Sequence, residues 1–301
     1  MALLARVLKS MERIAPQSLA DHAWDNVGLL VGTTSPTRNF FVQHPFKFEQ
    51  APYPRTRVVS TTPQRVFLTI DFTTAVVDEA LNDPSVGVIV AYHPPIFRGM
   101  KKLLLKDTKQ RMVLQCAAKG VSVFSPHTSC DSCEDGVNDW MLQGFGDSGT
   151  SSVYVPAVNP PAGHENSGKG RVFTFHEPKP VQQVIEQIKR HFGLPHVRAA
   201  IHPTHASNEK LISTVGVWAG SGSELVNHPA DLYLTGELGH HDVLEALEQN
   251  RTVILCEHSN TERGYLSAVL KPKLEALLSQ DGGEPVEIVV SKTDKDPLVV
   301  V

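Results

Sequence analysis

The sequence predicts an α/β fold built from two similar halves, with mixed, largely parallel sheets covered by helices. Two observations lead to this class. Short apolar runs alternate with helical stretches along the chain, a pattern typical of parallel strands whose connecting helices cover both faces of the sheet. A similar order of elements also recurs on either side of a segment rich in Ser, Gly, Asn and Pro. We therefore expect an N-terminal half at 1–147, a linker at 148–170 and a C-terminal half at 171–301.

The first predicted element is a helix within residues 1–19. Its apolar residues recur at i, i+3 and i+4 spacing, and the segment ends before Pro16, so one face of the helix would be apolar. Three basic residues in this segment are also compatible with a mitochondrial transit peptide. Glu12 interrupts that second pattern, and we therefore favour the helix.

The other elements of the N-terminal half follow in order. A polar turn precedes an apolar strand that ends at Gly32. Residues 33–64 contain five prolines and show no helical periodicity, which predicts a long insertion. Apolar runs then predict strands at 65–71, 86–91 and 121–124, and the stretches between them predict helices at 73–81 and 109–119.

The C-terminal half repeats this alternation of strands and helices. Apolar runs predict strands at 171–175, 211–218, 231–234, 252–255 and 286–290. The stretches between them predict helices at 181–192, 240–249 and 265–278. Because strands and helices alternate again, we expect a second sheet covered by helices.

The overall composition excludes several classes of protein. The chain has 28 Lys and Arg against 32 Asp and Glu, a net charge of −4, and 41% hydrophobic residues, which is ordinary for a globular protein. Since there is no basic excess, we expect no general nucleic-acid binding. Since no run approaches about 18–20 apolar residues, we expect no membrane span.

The four cysteines indicate a reducing compartment. They are too few for a disulfide framework in 301 residues, so we expect a cytoplasmic protein, with mitochondrial or nuclear presence left open. Cys130 and Cys133 form one C-x-x-C pair. Without a second pair, this spacing is weak evidence of a zinc or redox site.

Histidines at the ends of predicted strands are the main functional signal. Three of the 14 histidines, His93, His127 and His258, follow predicted strands, and Asp131 and Glu262 come four residues after the second and third of them. Ligands of open α/β sheets bind beyond the carboxyl ends of the strands. Imidazole and carboxylate together are typical ligands of a hydrolytic divalent metal. The alternative is that each histidine is an ordinary loop residue with satisfied hydrogen bonds.

Two further strand ends have alternative interpretations. Glu237, His240 and His241 are candidates for metal ligands, supporting groups or acid–base groups, although a Glu at a helix N-terminus also suits the helix dipole. The glycines of 220–224 could cradle an anion at a helix N-terminus. They lack the full nucleotide-binding fingerprint, and we favour a tight turn.

Five segments span nearly the whole chain: WDNVGLLVG at 24–32, YHPPIF at 92–97, HTSCD at 127–131, GELGHH at 236–241 and HSNTE at 258–262. In this order they resemble the motifs of the NIF-three-like family, which is also labelled GTP cyclohydrolase type-two-like in bacteria. Bacterial members usually have two adjacent histidines where this chain has Tyr92 and His93, so the resemblance is to the eukaryotic type.

The resemblance implies two similar α/β halves packed around a central cleft that contains a dimetal site. It also implies a homo-oligomer, a hexamer formed as a trimer of dimers. By matching motif, the metal ligands would be His93, Asp131, His258 and Glu262, with His127 beside them. Glu262 would be the carboxylate that bridges the metals. Since a neutral tyrosine is a poor ligand, one or two ions are expected, and zinc, manganese, iron and cobalt all remain open.

The function expected from these signals is that of a metal-dependent hydrolase. Activated water would attack a small phosphorylated or nucleotide-like substrate, and His127 or His240 would transfer protons. One alternative is an interaction or regulatory protein linked to transcription, with a protein partner and a structural metal. Another is a metal-handling protein that binds the ion as cargo.

Overall fold

The computed structural model describes residues 2–33 and 64–301. The chain is α/β as predicted, with two mixed sheets and covering helices. The predicted insertion at 33–64 lies outside the described residues, apart from its two end positions. Within the described ranges, no helix is long and apolar enough to cross a membrane.

Eleven strands and ten α-helices make up the described residues. The strands are β1 (Gly28–Val31), β2 (Arg65–Thr69), β3 (Val86–Ala91), β4 (Ser122–Ser125), β5 (Gly149–Pro156), β6 (Gly168–Lys179), β7 (Arg198–Ala200), β8 (Ile212–Ser221), β9 (Leu232–Glu237), β10 (Thr252–Leu255) and β11 (Glu287–Val290). The helices are α1 (Leu3–Ile14), α2 (Thr74–Leu81), α3 (Thr108–Lys119), α4 (Thr128–Ser132), α5 (Val137–Leu142), α6 (Val181–Phe192), α7 (Pro203–Ala206), α8 (His240–Glu248), α9 (Asn260–Tyr265) and α10 (Lys271–Gln280).

The first sheet has the order β1-β4-β3-β2-β11. Strands β4, β3, β2 and β11 run parallel, and β1 is antiparallel to β4. Strand β3 is buried along almost its whole length, as expected for a parallel strand with both faces covered. The carboxyl ends of β3 and β4 therefore meet at one edge of the sheet, and the residues that follow them are His93 and His127.

The last strand of the chain belongs to this first sheet. Ile288 of β11 pairs with Val66 of β2, and α10 packs against α1. The Arg6 guanidinium donates to both carboxylate oxygens of Asp281, at 2.7 and 2.8 Å. The predicted C-terminal half at 171–301 therefore does not fold as one separate unit, because it contributes a strand to the N-terminal sheet. Local sequence patterns could not show this long-range pairing.

The second sheet has the order β5-β6-β8-β9-β10-β7. Strands β8, β9 and β10 are parallel, and β5, β6 and β7 form antiparallel pairs at the two edges. The prediction of a linker at 148–170 is wrong, because Gly149 in β5 pairs with Phe175 in β6. Strand β5 is an edge strand with mostly exposed residues, so its sequence is polar and lacks the usual strand signal. The Asn- and Pro-rich residues form only the loop between the two strands.

The predicted helix at 265–278 is also corrected. Helix α9 begins earlier, at Asn260, and Glu262 lies in its first turn. A π-helical turn at Leu266–Leu270 separates α9 from α10, and Pro272 lies in the first turn of α10. A proline cannot donate a backbone hydrogen bond, and it is tolerated where a helix begins. The chain after β10 is therefore a broken helix whose first segment faces the cleft.

One apolar core joins the two sheets. It contains residues of β2 and β3, such as Leu68 and Val90, together with residues of β8 and β9, such as Val217 and Leu234. Helices α2 and α3 cover a second cluster on the other face of the first sheet. Because the sheets share a core, their carboxyl ends line a common cleft.

Candidate metal centre

A cavity of about 1150 Å³ lies between the two sheets. It is lined by residues that follow β3 and β4 of the first sheet and by residues at the ends of β8, β9 and β10 of the second. Among the described residues, eight Asp or Glu residues line the cavity, against three lysines. This excess of carboxylates attracts cations, because like charges in a cleft reinforce one another's potential.

His93 is fixed at the end of β3 by backbone and side-chain contacts. Its backbone N–H donates to the carbonyl of Ile70 at 3.1 Å, and its Nδ1 lies 2.9 Å from Oδ1 of Asp71. The other oxygen of Asp71 accepts from the hydroxyl of Ser259 at 2.7 Å. Burial would raise the pKa of Asp71, but these hydrogen bonds and the nearby charges lower it. Asp71 is therefore a carboxylate that orients His93.

His127 is held in the same way at the end of β4. Its Nδ1 lies 2.6 Å from Oδ1 of Asp25, whose side chain is fully buried. Burial would raise the pKa of Asp25, but its contacts with His127 and Thr128 lower it. The backbone of His127 has φ +32°, which is unusual for a residue with a side chain and occurs often at functional sites.

His258 comes from the opposite side of the cleft. Its Nδ1 lies 2.9 Å from Oε1 of Glu237, the last residue of β9. The preceding residue, Glu257, has φ +66°. All three imidazoles therefore contact a carboxylate through Nδ1, which leaves Nε2 for a ligand. This is the arrangement in which proteins hold metal-binding histidines.

Glu262 lies between two of these imidazoles. Its carboxylate oxygens are 3.3 Å from Nε2 of His93 and 3.7 Å from Nε2 of His258, and its side chain is 3% exposed. Within the described part of the chain, His93 Nε2 and Glu262 Oε2 are buried and face each other without a well-aligned hydrogen bond. Unpartnered buried polar atoms cost free energy. The ligand atoms of His93, His258 and Glu262 all lie within 4.8 Å of one another, so these residues fit a divalent metal.

The protonation of His93 reflects this crowding of charges. Burial opposes a charged imidazole, but the charge of Glu262 and the hydrogen bond with Asp71 outweigh it and raise the pKa of His93 to about 10. A cation placed between His93 and Glu262 would replace that proton. The charge balance of the cluster is therefore suited to a bound metal.

Asp131 lies beside the cluster but contacts a different partner. The phenol of the buried Tyr92 donates a hydrogen bond to Oδ1 of Asp131. Burial and the charge of Glu262 raise the pKa of Asp131 to about 6, although the hydrogen bond and the two nearby histidines oppose the rise. Among the described residues, the three-residue ligand group does not include Asp131 or His127, although both line the same cavity.

The structure does not bring His240 to the site. His240 and His241 are exposed on the first turn of α8, outside the set of described residues that line the cavity. Helix α8 packs on Tyr233 and Val253, which lie on the face of the second sheet opposite the shared core. The prediction that His240 transfers protons at this site is therefore not supported, because the helix leads it away.

Two site residues, Asp25 and Asp71, were missed by sequence reasoning. Asp71 directly follows the β-rich run of β2, and Asp25 lies in the polar turn before β1. A search for acids as well as histidines directly after predicted strands would have found Asp71. Only the fold brings Asp25 to His127, because 102 residues separate them in the chain.

The structure also locates two other features of the sequence, the glycine segment at 220–224 and the C-x-x-C pair. Gly220 has φ +62°, and a Cβ built there would lie 2.8 Å from both Glu262 Oε1 and His258 Nε2. This glycine therefore keeps the space beside the cluster open.

Cys130 and Cys133 are fully buried in the core as free thiols, and burial raises the pKa of both. The C-x-x-C pair is part of the core packing.

Comparison with known proteins shows the family. The sequence profile of Duf34/NIF3 (NGG1p interacting factor 3) matches residues 59–297. A curated protein of Schizosaccharomyces pombe, "Protein NIF3 homolog", is 40% identical over 98% of this chain and 96% of its own length. The "NGG1-interacting factor 3" of Saccharomyces cerevisiae is 36% identical over 99% of this chain and 97% of its own length.

Solved structures show the same fold. A Bacillus cereus protein described as related to NIF3 superposes with a TM-score of 0.74 at 18% identity, over 99% of this chain and 98% of that protein. The chain belongs to the Duf34/NIF3 family, as the resemblance of its motifs predicted.

Proposed function

We propose that this member of the Duf34/NIF3 family is a divalent-metal-dependent hydrolase of small phosphorylated or nucleotide-like substrates. The observation that carries the proposal is the buried pair of His93 Nε2 and Glu262 Oε2, which lie 3.3 Å apart in an acidic cavity without a well-aligned hydrogen bond between them. A divalent metal, when bound, polarises a phosphoryl oxygen and activates water. The donors are nitrogen and oxygen, which suits zinc, manganese, iron or cobalt.

The site is proposed to hold one ion firmly and a second one weakly. His93, His258 and Glu262 would hold the first ion. Asp131 and His127 would hold the second, but the Tyr92 phenol already occupies one oxygen of Asp131. A second ion must therefore compete with a buried hydrogen bond, which weakens its binding.

His127 is the proposed acid–base residue when one ion is bound. Its Nδ1 is occupied by the contact with Asp25, so Nε2 is the atom that exchanges a proton with water or a leaving group. His127 is 13% exposed at the cavity wall, which leaves access for a substrate. Asp25 stabilises the imidazolium formed when His127 takes up a proton.

The test is metal analysis together with a substrate screen. We expect the purified protein to contain one divalent ion per chain and to hydrolyse phosphoesters or nucleotides in a metal-dependent way. Glu262→Ala should lose both properties. Glu224→Ala is the matched control, because Glu224 also lines the cavity but is exposed and outside the cluster. Bound metal without turnover across a broad panel would contradict the hydrolase and favour metal handling.

A second candidate function is binding of a protein partner, with the metal in a structural role. It is favoured by the name of the S. cerevisiae relative, NGG1-interacting factor 3, which aligns over 97% of its length. Under this alternative, the metal-free Glu262→Ala protein would lack turnover as the wild type does, and would still bind its partner. The proposed assembly of six chains is tested by light scattering, and a monomer mass would refute it.

A further inference from the structure

Two exposed aromatic side chains line the same cavity as the His and Glu cluster. Trp24 is 53% exposed and Phe97 is 41% exposed, and both belong to the cavity wall. Their ring centroids are 6.0 Å apart and their planes meet at 47°. Large aromatic side chains usually bury most of their surface, so an adjacent pair left open inside a cavity needs a physical reason.

We infer that Trp24 and Phe97, here called the aromatic platform, stack against a planar heteroaromatic ring of the substrate. The inference rests on the proposed function and narrows its substrate class to nucleotide-like phosphates. Stacking on aromatic side chains is how proteins bind bases without reading their hydrogen-bonding edges. The platform therefore recognises the ring as a flat apolar surface.

The platform is held in place by the site itself. Trp24 directly precedes Asp25, which contacts His127. The amide of Asn26 donates to the carbonyl of Ile96, so the turn that carries Trp24 is tied to the loop that carries Phe97. That loop begins with the buried Pro94 and Pro95, whose fixed φ angles stiffen it. Because the rings are positioned in advance, a ligand loses less conformational entropy in binding them.

The spacing suits a ligand with a ring at one end and a phosphate at the other. The rings of Trp24 and Phe97 lie edge-on to His127, with centroids 5.8 and 6.4 Å away. His127 in turn lies 5.3 Å from His93 in the cluster. One imidazole therefore separates the platform from the metal residues, as a ribose separates base from phosphate in a nucleoside monophosphate.

The charges in the cavity imply that the phosphate and the ring of the ligand are bound by different interactions. The described part of the wall has eight acids against three lysines, so a phosphate would be repelled unless a metal neutralises it. Stacking on the platform depends much less on charge. The ring and the phosphate are therefore bound by separate interactions, and each can be removed without the other.

The experiment compares two probes that carry the same phosphate. Calorimetric titration with guanosine 5′-monophosphate and with ribose 5-phosphate gives an affinity ratio that reports the ring alone. We expect the wild type to prefer the nucleotide by about tenfold or more, which is the usual range for stacking. Trp24→Ala and Phe97→Ala should each bring the affinity ratio close to one. Trp24→Phe should retain most of the preference for the nucleotide. Leu244→Ala is the control, because Leu244 is equally exposed, at 46%, but lies on α8.

The outcomes separate this inference from the proposed hydrolase. Failure of the metal site weakens both probes together and leaves their ratio unchanged, whereas failure of the platform changes only the ratio. A wild type that fails to prefer the nucleotide, or binds neither probe, overturns the inference. Retention of the preference in Trp24→Ala, with a smaller assembly by light scattering, also overturns it and makes the two rings a contact between chains.

Discussion

The two sides of the cleft present the same kind of group in different surroundings. On the N-terminal side, His127 is 13% exposed and its partner Asp25 is 0% exposed. On the C-terminal side, His258 is 38% exposed and its partner Glu237 is 53% exposed. A hydrogen bond between buried groups is stronger and better ordered than one in water. The N-terminal side is therefore preorganised, and the C-terminal side can adjust when a ligand enters.

Glu262 is the residue on which the two sides converge, and its removal should have the largest effect. Its oxygens lie 3.3 Å from His93 Nε2 and 3.7 Å from His258 Nε2. Glu262→Gln should reduce metal affinity by more than the about 10–100-fold typical of losing an outer partner, because a charged ligand is lost. Competition with a chelating dye measures the loss. Unchanged affinity would show that the two sides do not share an ion.

Filling the space beside Gly220 should weaken metal binding, though by less than the change at Glu262, while leaving the fold intact. A Cβ there would lie 2.8 Å from both Glu262 Oε1 and His258 Nε2. Gly193→Ala is the matched control, because Gly193 has φ +66° against +62° for Gly220 and nothing lies within 4 Å of its Cβ position. The free energy of unfolding of both variants should fall by about 1–2 kcal/mol, because alanine is strained in the left-handed backbone conformation. Only Gly220→Ala should also bind metal more weakly. Equal metal binding in the two variants would contradict the placement of the site.

The comparison of the two sides is tested directly on their outer carboxylates. Asp71→Asn should lower metal affinity by about 10–100-fold, because Asp71 holds His93 from a partly buried position, 28% exposed. Glu237→Gln should lower it by less than about tenfold, because water can replace an exposed partner. Metal titration of both variants gives the ratio. An equal loss would show that burial does not distinguish the two sides.

The dependence of metal affinity on pH tests the charge balance of the cluster that the two sides share. Since the pKa of His93 is raised to about 10 in the metal-free protein, its proton stabilises that fold fully below about pH 6.5, the unfolded value. This stabilisation is lost as the pH rises toward about 10. Metal binding displaces the same proton, so metal affinity should rise across this window, by up to about tenfold per pH unit.

The pH prediction is measured by titrating metal and recording the Tm of the metal-free protein at several pH values. Glu262→Gln is the control, because the charge of Glu262 is the main cause that raises the pKa of His93. The Tm of this variant should depend less on pH than that of the wild type. A wild-type metal affinity that stays flat with pH would show that the cluster is not protonated when metal-free.

Much of the fold could be predicted from the sequence, because its signals are local. The first helix ends before Pro16 as predicted, and the strands at 86–91 and 252–255 have the predicted bounds, since apolar periodicity sets which face is buried. Strands β5 and β7 were missed, because edge strands with exposed residues lack that periodicity. The histidines after predicted strands, with the acids four residues later, likewise gave His93, His258 and Glu262 as candidates.

By itself, the sequence determined the α/β class, the family motifs and the strand ends that carry His93, His127 and His258. Only the tertiary structure decided that β11 completes the first sheet, that Asp25 and Asp71 orient the histidines, and that His240 lies outside the cleft. Periodicity and strand ends depend on neighbouring residues, whereas a site depends on contacts between residues far apart in the chain. Those contacts form only when two sheets share one core and bring their carboxyl ends together.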